Sequence, residues 1–486
     1  MMNEIKNDRW PIVIALAIAM AFVMPFSIHN IDFVDDWIRV DTGNTGWEGN
    51  GRPVSSIVMA LLSLSLSNFF GDGVLKDTFP FNLYLSSILM VSSGYIICKM
   101  LKIISKGIMT LMMICPVVNP YWIGNISFRF DSLVMSMAFI FAVMSVMLVN
   151  YNTKRNFFLA VTSAIIMLCL YQAAINVIIA LATVISLSKA LQNGTFRLKD
   201  TIIFPSMAVV VISYAIYSIL IYNYLEISDY TKLSGEVVGL GANVFKSIFS
   251  NIYELSKAIF TITGSLIALS VYAIIFSSIY CSFRLPTENF SVKAAFFIGT
   301  VFVFLLSFGF LSFLKHPTLS SRVFLSFCFV PLLLLFISDR CNCKSYLIVI
   351  PFLVASFSLS SIVSNAMGDV QRYDRFVAER IANKLYDYGY KSGDNLFISG
   401  RPGTPLMVSR NFDSIPIVSE MSVSAYANTR FKYSLMRQYN INSPTPNLDI
   451  AIRETNNCSA DNFVFHDNLI SICKSYKGFS VLIGEI

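Results

Sequence analysis

The sequence predicts a polytopic α-helical membrane protein of about 11 transmembrane helices, followed by a small C-terminal α/β domain. The first observation behind this is composition. The residues are 55% hydrophobic and only 13% charged, against about 25% charged in a soluble globular chain, and the mean hydropathy is +0.64. A soluble fold cannot hide that much apolar surface, whereas a bilayer accommodates it. The second observation is that the excess stops. Up to residue 363 long apolar runs alternate with short polar ones, and beyond it charges, Asn and Pro return to ordinary frequency. The predicted organisation is a transmembrane domain at 1–363 and a water-exposed domain at 364–486.

The run from Trp10 to Ile28 is long enough to span a bilayer, which takes about 20 residues, and no small-residue cleavage site follows it. Ten further runs, at 80–100, 107–123, 131–149, 156–171, 173–189, 202–223, 258–281, 293–313, 323–338 and 345–363, complete the expected set. The pair meeting at Tyr171 and Gln172 would also fit one long kinked helix. Val54 to Phe70 is apolar but interrupted by five serines. Were it to span, Lys99, Lys102, Lys106, Lys154, Arg155, Lys189, Arg197 and Lys199 would all face outward, against the positive-inside rule. It is therefore predicted to lie along the membrane surface.

Eleven crossings with a cytoplasmic N-terminus place 30–79, 124–130, 224–257, 314–322 and the tail 364–486 on the outer side, the periplasm of a Gram-negative host. In the tail, Val370 to Tyr388 has helical spacing, with Val377, Ile381 and Leu385 on one face. Asn395 to Ser399 and Phe479 to Ile483 read as short buried strands, and Ser422 to Tyr439 as a further helix. Cys458 and Cys473 are the only two cysteines there. In an oxidising compartment they are expected to pair. Cys98, Cys115, Cys169, Cys281 and Cys328 lie in or beside apolar runs, where the residue behaves as a small hydrophobe, and Cys341 and Cys343 form only a CxC beside Arg340 and Lys344 with no second pair.

The net charge of +7 does not indicate a nucleic-acid partner, because the Lys and Arg residues sit singly between apolar runs and form no stripe. The sequence contains no HExxH, GxSxG or P-loop, and its cysteines lack metal-ligand spacing. No cofactor is indicated, and the metalloprotease, Ser-hydrolase and nucleotide-driven pump classes drop out.

Three polar clusters lie in the outer segments. The first holds Asp32, Asp35, Asp36, Arg39, Asp41, Glu48 and Arg52. A carboxylate at a membrane surface loses hydration and a neighbouring acid opposes its ionisation, both of which raise its pKa toward the range useful to a general base. The plain alternative is a solvated acidic loop. The second runs from Asn119 to Asp131, with Tyr121 and Trp122 suited to an interfacial aromatic belt. Arg129 either faces an anionic head group or pairs with Asp131. The third, Phe313 to Arg322, puts Lys315, His316 and Arg322 in one short outer loop, against the topology bias. A phosphate ligand would justify them, and ordinary head-group anchoring is the alternative. Gln172, at the outer turn, is placed to hydrogen-bond a hydroxylated ligand. Arg401-Pro-Gly is either a binding loop or a plain turn.

An N-terminal crossing, then Asp35-Asp36-Trp37, then Gly51-Arg52-Pro53 opening an amphipathic stretch, resembles the phage-encoded serotype-converting glucosyltransferases of enteric bacteria, of the GtrII type. The layout of many crossings and a C-terminal periplasmic domain agrees. The resemblance implies a GT-C-like enzyme of the bacterial inner membrane. It would move glucose from undecaprenyl-phosphate-glucose to lipid-linked O-antigen repeat units at the periplasmic face, with inversion at the anomeric centre. It also implies cooperation with a glucosyl-lipid synthase and a flippase, and a catalytic base at Asp35 or Asp36. It does not assign Arg129, Lys315, His316 or Arg322, the candidates for the donor phosphate, nor Arg39, Arg52 and Gln172, the candidates for acceptor contacts. A GT-C transferase for another sugar, such as mannose or aminoarabinose, stands as the alternative. A polymerase would concentrate arginines in large outer loops between crossings. A flippase or transporter would place charges near the bilayer midplane, where this chain has few.

Overall fold

A computed structural model describes residues 2–65, 75–239, 241, 243–458 and 462–484. Among them, seven helices are long and apolar enough to cross a membrane: Asn7–His29, Phe81–Leu101, Asp131–Asn150, Gln172–Asn193, Ile203–Ile221, Ser265–Ser282 and Lys344–Asp387. The other four expected crossings are helical but shorter. Lys106–Ile114 gives way to a turn before Pro120, and Lys154–Leu170 stops at the extended Tyr171. Phe290–Leu305 ends before a 3-10 stretch at Gly309–Phe313, and Phe329–Cys341 is preceded by two 3-10 turns.

The run expected at 258–281 also departs from a single helix. Val244–Thr261 stops, Gly264 takes φ +89°, and Ser265–Ser282 starts a new helix. The break is filled by the C-terminal part of the chain: the Ile417 N–H donates to the Ile262 carbonyl (2.8 Å). A Cβ on Gly264 would meet the Ser414 carbonyl oxygen at 3.1 Å. Of the stretch expected to lie along the membrane, Pro53–Leu62 is helical and partly buried, with the Ser55 hydroxyl donating to the Leu170 carbonyl (3.0 Å). Its last residues, 66–70, lie outside the described set.

Contacts sort the connecting segments into two groups. In one, Asp8 pairs with Lys99 (2.8 Å) and Lys106, and Asp339 accepts the Ser105 N–H (2.9 Å). In the same group Arg340 donates to the Leu101 carbonyl (2.6 Å) and Asn289 to the Gly194 carbonyl (3.0 Å). In the other, the Ser228 N–H donates to Gly49 (2.9 Å) and the Lys315 N–H to Glu236 (2.7 Å), while Arg39 meets Asp131 (2.5 Å). Among the described residues, contacts thus tie the first loop to the segments around Arg129, Ser228 and Lys315, and separately tie the N-terminal end of the first helix to the loops around Lys99 to Lys106 and Asp339.

The composition step at 363/364 is not a break in the chain. Val349–Asp387 is one 39-residue helix, about 58 Å long at 1.5 Å per residue, against a hydrocarbon core of about 30 Å. Its far end supplies Val377, Ala378, Ile381 and Leu385 to a second core. A four-stranded sheet packs there, in the order β1-β4-β3-β2, from β1 (Leu396–Gly400), β2 (Phe463–His466), β3 (Ile470–Ser475) and β4 (Gly478–Ile483). β1 and β4 run parallel, and the remaining pairs are antiparallel. Cys458 and Cys473 form a disulfide with Cα atoms 5.6 Å apart. The helix expected over Ser422 to Tyr439 is shorter. Asp374 accepts from the Ser424 hydroxyl and the Ala425 N–H, both at 2.7 Å, and Asn428 caps Thr429–Arg437. The second core also takes in Trp37. Asp41, two turns away at most, receives Arg437 (2.7 Å) and Ser434 (3.1 Å). The loop after the first helix is thereby fixed to the C-terminal domain through both Trp37 and Asp41.

Candidate active site

The adjacent acids of the first loop occupy different environments. Asp35 precedes the short helix Asp36–Thr42, is exposed, and among the described residues has no side-chain hydrogen bond or ion pair. Asp36 is fully buried. Its Oδ2 accepts the N–H of Phe33 (3.2 Å) and of Arg129 (2.8 Å), stitching the first loop to the second. Its Oδ1 is sealed from solvent with no hydrogen bond, and the Arg39 guanidinium stands 3.9 Å away. Burial pushes the Asp36 carboxyl well above the usual carboxylate range. Arg39 and the Arg129 N–H oppose that rise, and the charges of Asp131 and Asp32 add to it. The sequence places the opposing acid next door, at Asp35; in the fold the acids that act on Asp36 are Asp131, from another segment, and Asp32, earlier in the same loop.

From Arg39 a polar chain continues inward. Arg39 donates to Asp131 (2.5 Å) and stacks on the Trp47 ring (4.3 Å), whose indole N–H donates to the same carboxylate (2.7 Å). Asp131 also lies 3.9 Å from Arg52. Arg52 donates from Nε to Gln172 (2.9 Å) and lies over the Tyr171 ring (4.7 Å). The Gln172 amide in turn donates to the Asn50 carbonyl (3.0 Å) and to the Tyr217 hydroxyl (2.8 Å). All of its polar capacity toward this loop is thus engaged in holding it. Gly51, at φ +70°, is needed for the turn, because a Cβ there would meet the Tyr217 hydroxyl at 2.5 Å.

The expected phosphate cations separate into three situations. Arg129 is compensated twice: it meets Asp32 (2.9 Å) and donates from Nε to Asp77 (2.9 Å), with a second bond to the same carboxylate. Its sequence neighbour Asp131 is not its partner. Lys315 pairs with Glu236 (2.9 Å), and His316 is exposed. Among the described residues neither shares a hydrogen bond or ion pair with the chain of groups from Asp36 to Arg322.

Arg322 is different. Its carbonyl accepts from Asn125 (3.3 Å) and from the Tyr171 hydroxyl (3.2 Å). A Cβ on Gly124 would meet its backbone nitrogen at 2.9 Å. The preceding Ser321 N–H donates to Glu420 (3.1 Å). The backbone is held from three directions, yet no carboxylate stands within 4 Å of the guanidinium among the described residues, and its own contact is the Phe128 ring (5.3 Å). None of its nitrogens is sealed from solvent. The sequence pointed to Arg322 but gave no sign of Glu420, which enters from about 100 residues further on and is surrounded by ordinary loop sequence.

The arrangement has two chemical capacities. A solvent-facing carboxylate, Asp35, can accept a proton. A guanidinium on a held backbone with no carboxylate within 4 Å among the described residues, Arg322, with Arg52 nearby, can receive an anion.

Comparison with known proteins agrees with this layout. A stretch of 279 residues is 29% identical to a Salmonella phage P22 protein described as an uncharacterized 55.3 kDa protein in the gtrB 5′ region. The match covers 56% of this chain and 55% of that protein, so the chain spans about half the length of the curated relative it matches. No solved structure matches. The model of the family described as glucosyl transferase GtrII matches residues 24–336, which takes in both aspartates, Arg52, Asp131, Gln172 and Arg322. The chain belongs to the GtrII glucosyl transferase family.

Proposed function

We propose that the chain transfers glucose from undecaprenyl-phosphate-glucose to lipid-linked O-antigen repeats at the periplasmic face of the inner membrane, by direct inverting displacement. The observation that carries this is Arg322, a cation whose backbone is held in place and which has no carboxylate within ion-pair distance among the described residues. A phosphate monoester leaving group arrives already charged, and a preset guanidinium stabilises the charge that grows on its bridging oxygen. Asp35 takes the proton of the acceptor hydroxyl as that oxygen attacks the anomeric carbon. The bond from that carbon to the phosphate oxygen breaks, and undecaprenyl phosphate leaves as the anion beside Arg322 and Arg52. A β-linked donor gives an α-linked branch. Asp36 organises: it holds the Phe33 and Arg129 N–H groups, and its neighbour Arg39 holds Asp131.

The seven long apolar helices and the grouping of the outer segments support an outer-face site. That the phage P22 relative lies in the gtrB 5′ region fits a phage locus for glucosyl transfer.

The test is mass spectrometry with linkage analysis of lipopolysaccharide from cells expressing the chain or its Arg322→Ala variant. One added hexose per repeat is expected with the native chain and none with the variant. An unchanged polysaccharide in a host with the right acceptor would overturn the reading.

A further inference from the structure

We infer that Glu420 is a positioning residue for Arg322, so that the donor-phosphate site is assembled from the transmembrane and C-terminal parts together. This rests on the reading of Arg322 as the phosphate cation. Glu420 closes the short helix Pro416–Met421. The segment around it does not stay within the C-terminal domain: Val408, Ile417, Val418 and Met421 are buried in the same core as the membrane helices. The Ile417 N–H also caps the broken helix at Ile262. Glu420 is thereby delivered to the turn before Arg322.

There its Oε1 accepts the Ser320 hydroxyl (2.5 Å), the Ser321 N–H (3.1 Å) and the Ser321 hydroxyl (3.4 Å). The carboxylate is committed to two serines and has no Lys or Arg within ion-pair distance among the described residues. Were it paired with Arg322 instead, the cation would be neutralised and unavailable to a phosphate. As built, it fixes the residues preceding Arg322, while Asn125 and Tyr171 hold the carbonyl that follows. Burial raises the Glu420 carboxyl, and the serine bonds and the Arg322 charge favour the ionised form that accepts them. Orientation of a catalytic cation is sensitive to small displacements, so loss of these bonds should appear in donor use before it appears in folding.

The experiment uses purified full-length protein with undecaprenyl-phosphate-glucose and a lipid-linked O-antigen acceptor, comparing Glu420→Ala, Glu420→Gln and Arg322→Ala. Glu420→Ala should raise the donor KM about tenfold, the scale of lost hydrogen bonds to a charged group, with the acceptor KM little changed. Glu420→Gln keeps a carbonyl acceptor for the Ser321 N–H and should stay within about threefold. Glu420→Ala combined with Arg322→Ala should be no worse than Arg322→Ala alone, because both act on one interaction. If Arg322→Ala raises the donor KM and Glu420→Ala leaves it unchanged, the positioning role is refuted and the donor reading survives. If Arg322→Ala leaves the donor KM unchanged, the donor reading falls first. Thermal melting in detergent controls for folding. Should Glu420→Ala fail to fold, Ser320→Ala removes the 2.5 Å bond from the other partner, and an unchanged donor KM in that variant equally refutes the role.

Discussion

Replacing Asp36 by alanine removes the acceptor of two buried backbone donors, the N–H groups of Phe33 (3.2 Å) and Arg129 (2.8 Å). Each orphaned donor costs about 1–3 kcal/mol, so the variant should lose roughly 2–6 kcal/mol, a large share of a typical stability of about 5–15 kcal/mol. Asparagine retains a carbonyl oxygen able to accept both bonds, so Asp36→Asn should be destabilised less. Asp35→Asn removes no contact and should change stability by less than about 0.5 kcal/mol. It should nevertheless lower glucosylation by about 10²–10⁴-fold, the usual worth of a general base. The assay pairs serotype-specific antibody binding with a membrane-fraction blot and a thermal melt in detergent. A pH series adds a second readout. Because the folded-state pKa of Asp36 is raised, the folded state holds its proton to higher pH than the unfolded chain. Its contribution therefore makes stability fall as pH rises from the ordinary carboxylate value through the raised one. That slope should be missing in Asp36→Asn. If Asp35→Asn converts the O-antigen fully while Asp36→Asn, equally abundant, does not, the roles assigned to the two residues are reversed. If Asp36→Ala melts like the native chain, the reasoning about its buried bonds is wrong.

Gly124→Ala should depress activity with protein level maintained, because its Cβ would meet the Arg322 backbone nitrogen at 2.9 Å and displace the guanidinium; unchanged initial rates would refute this. The Cys458–Cys473 disulfide closes a separation of 15 residues, worth about 3 kcal/mol in the chain-entropy view. Thiol labelling of denatured, unreduced protein should leave both positions unlabelled, and labelling at both would rule the bridge out. Alkaline phosphatase fused after Gly389 should be active if the C-terminal domain is periplasmic, and a silent fusion with an active cytoplasmic reporter would invert the sidedness.

Most of the fold was legible because it rests on local, repetitive signals. Apolar runs near 20 residues mark the long helices, and β-branched and aromatic runs mark β1 and β4. The failures fall where a distant segment decides the outcome. Nothing near residue 264 announces that Ile417 will cap the helix ending at Thr261. The composition step at 363/364 misled in a different way: a helix passes from lipid to water without a break in backbone hydrogen bonding, so solvent changes there while secondary structure does not. Four expected crossings are shorter helices, as at 293–313, where hydropathy is continuous although the α-helix ends at Leu305 and the backbone turns 3-10 at Gly309.

The site shows the same division more sharply. Sequence finds the charged residues of the outer loops but not how they compensate one another, and compensation decides which of them is free to act. Arg129 and Arg322 look alike in the sequence, each in a short outer loop beside aromatic residues. Arg129 proves to be held by Asp32 and Asp77, from positions 97 and 52 residues away. Among the described residues Arg322 has no carboxylate within ion-pair distance, and the carboxylate nearest in role, Glu420, bonds Ser320 and Ser321 instead. An arginine already paired with two carboxylates gains little from a phosphate, since it must first give up bonds of the same kind. One held by its backbone and left open gains the full interaction. In the proposed reading the donor phosphate therefore sits at Arg322, with Arg52 beside it. Arg129 serves to lock the loop that carries the two aspartates.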